Sequence, residues 1–266
     1  MLSSGCSRMC TLIVLHRCFA EMPLVIAANR DEYLDRPTEG LAIRETRSGR
    51  ILAPRDGLAG GTWLGINESG VFAAVTNRHT DAPDPTRRSR GLLVMDLLNT
   101  STAEDAAGRT ESLPPNAYNP FNVCVADGRS AHVLSVGDAP GALPERLDLA
   151  PGPHVFGNLH PAAASVKVAR IAAEVDAVLE GAEEKVLDHL GALCGSHTGA
   201  TALESTCVHA PGYGTRSSTL FRQGDVPELR HSDGAPCSHA YENFTPLLRE
   251  LADASVAQGP ATRTPP

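Results

Sequence analysis

Five short stretches gather the side chains able to do chemistry. "AANRDEYLDRP" (27–37) sets an amide, a fixed cation and two carboxylates (Asn29, Arg30, Asp31, Glu32) directly behind an apolar run. Two readings stand. Donors and charges meet at one sheet edge, or a solvated turn closes on an ion pair, the usual fate of such a run. "GGTWLGINESGVFAAVTNRH" (60–79) opens with Gly60 and Gly61, which permit close backbone approach, and continues with the only tryptophan, Trp63. Its hairpin delivers Asn77, an amide that could donate to an oxyanion; a glycine-kinked hairpin is the plainer alternative. It is no phosphate loop, because no G-K-[ST] follows and no helix starts there. "VFGNLHP" (155–161) ends a short strand at Asn158, a site residue or only a helix cap. "HAPGYGTRSSTLFR" (209–222) makes a rigid turn and feeds Arg216 into the next strand, toward a site or toward a neighbouring carboxylate. Finally, "SRMCTLIVL" (7–15) sets Met9 and Cys10 ahead of an apolar run. If Met9 is the start, Cys10 is the first residue of the working chain.

The elements that must position these residues read as blocks. Apolar, β-rich runs at 10–15, 24–29, 50–54, 62–67, 71–77, 121–127 and 131–137 are separated by turn residues. A helix begins near Gly91 and runs through "LLVMDLL". Val168, Ile171, Val175 and Val178 mark one helical face, and Val186, Leu190 and Leu193 another. Strands return at 218–222 and 227–232. Blocks of strands and blocks of helices, without strict alternation, argue an α+β layered domain.

Composition narrows the function. With 42% hydrophobic residues, a sizeable core can form. A formal net charge of -8 argues against a nucleic-acid surface, and Arg87, Arg88 and Arg90 read as a solvated turn before a helix. No apolar run is long enough for a membrane span, and His16 and Arg17 cut the first run too short for a signal-peptide core. The seven cysteines include no C-x-x-C; Cys124, Cys194 and Cys207 lie in apolar runs and read as core. No metal site is expected, and a reducing cytoplasm is the expected compartment.

Taken in order, Met9-Cys10, "AANRDEYLDRP", "GGTWLG", "AAVTN", "YNPFN", "VFGN" and "PGYGTRSSTL" resemble the NRDE family, also called the transport-and-Golgi-organisation family. The resemblance runs from Cys10 to about Ser232. That family is similar to the N-terminal-nucleophile hydrolases, which implies a four-layer αββα sandwich. The nearest relatives by pattern are cysteine acylases that cleave bile-salt amides and penicillin V. The resemblance implies that Cys10 is the nucleophile and that its own α-amino group, with a pKa near ~7.7–8.0, shuttles the proton.

It further implies Arg30 beside the thiol, Asp31 holding the amino group and Asn77 in the oxyanion hole. Asn158 would position substrate or amine, and Arg216 would be a late arginine near the thiol. The implied activity is that of an amidohydrolase or acyltransferase on a small amide, requiring no cofactor. The alternative is a haem-trafficking protein with haem as cargo, for which His79, His160 and His209 are the candidate ligands. The expected boundaries are an extension at 1–9, a domain at 10–253 and a frayed tail at 254–266. Translation is expected to start at Met9, with that methionine removed and the first eight residues disordered across the Cys10 pocket.

Overall fold

The computed structural model describes residues 10–257, with side chains as far as Asp253. The expectations for 1–9 and for 258–266 lie outside the described residues. Two seven-stranded antiparallel sheets form the centre. The first contains β1 (Thr11–His16), β2 (Leu24–Tyr33), β10 (Gly152–Phe156), β11 (His209–Ala210), β12 (Tyr213–Gln223), β13 (Glu228–Ser232) and β14 (Glu242–Asn243). Its order is β10-β1-β2-β12-β13-β14, with β11 paired to β12. The second is a meander in chain order: β3 (Thr38–Thr46), β4 (Gly49–Asp56), β5 (Leu64–Asn67), β6 (Phe72–Asn77), β7 (Phe121–Ala126), β8 (Ala131–Val136) and β9 (Glu145–Asp148).

Three apolar layers make this a four-layer αββα sandwich. Successive strand residues point to opposite faces. In β1, Leu12 and Val14 enter the core between the sheets, with Leu24, Ile26, Leu52, Leu64, Phe72 and Phe221. Ile13 and Leu15 face outward, under α3 (Val166–Leu179) and α4 (Val186–Cys194), against Ile171, Val175, Leu187 and Leu190. Both faces of the strand are therefore covered, which is why its sequence is apolar throughout. On the far side, α1 (Arg90–Leu97) and α2 (Ala103–Glu111) cover the second sheet through Leu93, Val94, Leu97 and Ala106. Ser89, Thr102 and Ser165 cap α1, α2 and α3 by accepting from backbone N–H groups of the first turn. The last helix, α5 (Thr245–Ala257), packs Leu248 and Leu251 on the inter-sheet core.

Several elements differ from the sequence reading. β2 does not end at Asn29 but continues to Tyr33, so Asn29 to Glu32 lie buried inside a paired strand and form no turn. The cause is β12, which begins at Tyr213 and pairs with β2 as far as Tyr213↔Tyr33. β3 was absent from the pattern because an edge strand with a half-exposed, charged face carries little apolar alternation. α2 is built on small residues, Ala103, Ala106 and Ala107. α5 extends through 254–257, the first part of the stretch read as a frayed tail.

Phe72 and Phe221 stack across the two sheets, with ring centroids 6.5 Å apart and both rings buried. Phe72→Ala should lower unfolding free energy by about 3–5 kcal/mol in denaturant titrations. Leu58→Ala, at a residue 68% exposed, should stay within about 0.5 kcal/mol.

Candidate active site

Cys10 directly precedes β1, one residue beyond the last β1–β2 pair, Thr11↔Asn29. That register sets it beside Arg30. Its Sγ lies 3.7 Å from the Asp31 carbonyl oxygen. Three adjoining cavities meet at Cys10, the one residue they share among the described residues. The first, about 140 Å³, is mostly apolar, with Phe156, Leu159, Val168 and Ile171 in its wall and Asn158 and Lys167 at the cysteine end. The second, about 90 Å³, is polar and is lined by Arg30, Glu32, Arg36, Asp56, Trp63 and Asn77 among others. The third is a narrow slot between the sheets, reaching Ala28, Leu64 and Ala74.

The glycine pair ahead of Trp63 has a steric reason. A Cβ on Gly61 would lie 2.3 Å from the Gly91 carbonyl carbon, so the chain there runs against the start of α1. Thr62 N donates to the Gly91 carbonyl at 3.1 Å, and Val75 N donates to the Trp63 carbonyl at 2.9 Å. Trp63 so held lies under the Arg30 guanidinium, whose central carbon is 4.1 Å from a ring centroid of the indole. A cation over an indole face in a desolvated site contributes about 2 kcal/mol. Arg30 also lies 3.8 Å from Glu32 and 4.0 Å from Asp56. Asp56 in turn accepts two bonds of 2.7 Å from Arg36. The cation is thereby fixed in place, one strand position from the thiol.

Asp31 points to the opposite face of β2, under α3. Its Oδ1 accepts from Thr215 Oγ1 at 2.6 Å. Its Oδ2 is 3.7 Å from Lys167 Nζ and accepts no hydrogen bond from the described residues. Burial pushes the Asp31 carboxyl up to about 6, with Lys167 and Thr215 pulling it back. Burial lowers Lys167 in the same way, opposed by Asp31. Burial, and then the Asp31 charge, push the Cys10 thiol up to about 11 in the chain that continues before it. A thiol in that setting is protonated at neutral pH.

Asn77 and Asn158 are brought together: Asn158 Nδ2 donates to the Asn77 carbonyl. Asn158 Oδ1 is buried and accepts no hydrogen bond from the described residues. Asn77 borders the polar cavity. Five of the six residues singled out in the sequence thus surround or constitute one point. Arg216 is placed differently. It is the extra residue of a β-bulge between Thr215 and Ser217, reaches Asp233 at 3.8 Å and lines none of the three cavities.

Of the three candidate haem ligands, His160 borders the apolar cavity and meets Glu145 at 3.1 Å, while His79 is exposed and meets Asp81 at 2.9 Å. His209 stands on β11 beside Cys207 and Cys237. Two participants were missed in the sequence, Thr215 and Lys167. Lys167 did carry a signal: it lies on the helical face of Ile171 and Val175, an apolar stripe in which a lysine must be buried.

The layers define the class of fold, which is that of the N-terminal-nucleophile hydrolases. It superposes on the N-acylethanolamine-hydrolyzing acid amidase ortholog of Caenorhabditis elegans with a TM-score of 0.58, covering 79% of this chain and 91% of that one at 12% identity. It also superposes on a variant of conjugated bile acid hydrolase from Clostridium perfringens with a TM-score of 0.54, covering 89% and 93% at 9% identity. Within that fold, residues 9–225 match the Transport and Golgi organisation 2 family, and the chain belongs to it. The human Transport and Golgi organization protein 2 homolog is 31% identical over 226 residues, 74% of this chain and 81% of that protein. The mouse homolog is 35% identical over 141 residues, 51% and 50% of the two chains.

The Asp31 environment gives a pH signature. A carboxyl raised in the fold contributes most to stability below its unfolded value near 3.8 and loses that contribution as pH rises through about 6. Relative to Asp31→Asn, the wild-type chain should therefore lose stability between about pH 4 and 6. Paired denaturant midpoints across that range check this; a difference that does not change with pH would contradict it.

Proposed function

We propose that the chain is a cysteine N-terminal-nucleophile amidohydrolase or acyltransferase acting on a small amide. The observation that carries this reading is the convergence of three cavities on Cys10, lined there by Asp31 and Asn158. Asn158 Oδ1 and Asp31 Oδ2 are buried and accept no hydrogen bond from the described residues, although Asp31 Oδ2 keeps Lys167 Nζ at 3.7 Å. A buried acceptor short of hydrogen bonds is costly. On this reading the α-ammonium of a chain beginning at Cys10 supplies donors, and Asp31 is the carboxylate that takes them. The same positive charge counters the burial that raises the thiol.

In the working form, Cys10 Sγ attacks the amide carbonyl carbon and its proton passes to the α-amino group. The Asn77 amide donates to the developing oxyanion. The C–N bond breaks, the α-ammonium protonates the departing amine, and a thioester remains on Cys10. Water, deprotonated by the same amine, releases the acid; an acceptor amine in its place gives acyl transfer. On this reading the apolar half of the substrate lies against Phe156 and Ile171 and the polar half faces Arg30 and Trp63.

Two measurements test this. Intact mass should show that only chains beginning at Cys10 hydrolyse amides, and those chains should react with iodoacetamide at least ~10-fold faster at Cys10 than chains carrying residue 9. Amide hydrolysis by a chain retaining residue 9, or undiminished in Cys10→Ala, would sink the proposal. Asn77→Ala should lower kcat by about 10²–10³ with little change in KM.

A further inference from the structure

We propose that His197, Cys207, His209 and Cys237 form a tetrahedral zinc site that fastens the α4–β11 segment to the turn after β13. The four ligand atoms lie within 4.8 Å of one another. Cys207 Sγ is 3.6 Å from Cys237 Sγ and 3.7 Å from His209 Nε2, and His209 Nε2 is 3.2 Å from Cys237 Sγ. Zn–S bonds of about 2.3 Å and Zn–N bonds of about 2.0–2.1 Å at tetrahedral angles place ligand atoms roughly 3.3–3.8 Å apart. Two sides of the observed triangle fall in that range, and the third, His209 Nε2 to Cys237 Sγ at 3.2 Å, lies just below it. Both cysteines are free.

The donor set selects the ion. Two thiolates and two imidazoles in a compact group suit Zn²⁺, and the pair of negative charges neutralises it. Binding releases two thiol protons to solvent and displaces the ion's water. Among the described residues no carboxylate belongs to the group, which disfavours the hard cations calcium and magnesium.

The backbone around the group is already in place. Cys207 N donates to the Ser196 carbonyl at 2.9 Å, and His197 Nδ1 meets the Cys207 carbonyl at 3.1 Å. As donor to that carbonyl, the His197 ring keeps its lone pair on Nε2, the arrangement by which outer hydrogen bonds orient metal-bound histidines. A Cβ on Gly195 would meet Cys237 N at 3.5 Å, so the turn bearing Cys237 rests on the end of α4.

The clip also bears on Asp31. Val208, between the two middle ligands, donates its N–H to Thr215 Oγ1 at 2.8 Å, and Thr215 donates to Asp31 Oδ1. Asn29 holds the same segment by donating to the Cys194 and Thr206 carbonyls. The zinc is thus structural, two hydrogen bonds from the carboxylate.

The test uses the full chain, kept reduced, stripped with a chelator and titrated with Co²⁺. One equivalent should bind with thiolate-to-cobalt charge transfer and the strong visible bands of tetrahedral cobalt, and one equivalent of Zn²⁺ should bleach them. Loss of an outer-sphere partner alone costs about 10–100-fold in metal affinity, so Cys237→Ser and His209→Ala should each lose at least ~100-fold. Both residues are exposed, so the variants should fold, and Cys10→Ala should bind as wild type. Octahedral cobalt spectra, binding that survives both ligand variants, or retention of copper or iron in preference to zinc would overturn the assignment.

Discussion

The constraint on which the molecule depends is the burial of Arg30, Asp31 and Glu32 in the interior of a paired strand. Three consecutive ionisable residues removed from water are strongly unfavourable unless each finds a compensating partner. The strand's alternation splits the problem. Arg30 and Glu32 point between the sheets, where Trp63, Asp56 and Arg36 answer them; Asp31 points under α3, where Lys167 and Thr215 do. Each answering residue sits on a different element. The hairpin carrying Trp63, the end of β4, the start of α3 and the first half of β12 are thereby held around one stretch of β2. The cavity at Cys10 is the space left where those elements meet.

Much of this was legible in the sequence, in proportion to how local the signal was. β1, β6, β7 and β8 are short runs with both faces covered, and their apolar composition announces them. Cys10, Arg30, Asp31, Asn77 and Asn158 stand out in the sequence as an ordered set through the family resemblance, each local run alone being a weak signal. The burial of the charged run was not, since four polar residues after an apolar segment read as a strand's end. Only the pairing with β12, nearly two hundred residues away in the chain, reveals that the strand continues. The burial of Lys167 was readable from its helical face, but not its partner, Asp31, which is distant in sequence. The His197 to Cys237 cluster escaped because its ligands come from three segments with no repeated spacing.

The electrostatics divide the site into two compartments of different character. On one side of the sulfur lies an apolar slot, and on the other a cage of guanidinium groups and carboxylates whose charges are mutually satisfied. A balanced cage attracts no particular ion at long range, so recognition there depends on geometry and hydrogen bonding more than on net charge. An overall charge of -8 is consistent with that, because the charges acting most on the Cys10 thiol are those of Asp31, Glu32 and Arg30.

The bulge at Arg216 separates two demands on one strand. Before it, β12 presents Thr215 to Asp31; after it, Ser217 pairs with Arg30 and the register runs on to Phe221 in the core. Without the extra residue, correct facing at one end would force the wrong facing at the other. Arg216 has no cross-strand counterpart on β2, so its side chain is released from the pairing rules on either side. The bulge therefore fixes the count of residues at that point: removing one residue would rotate half of β12 out of the core while leaving the composition of the chain almost unchanged.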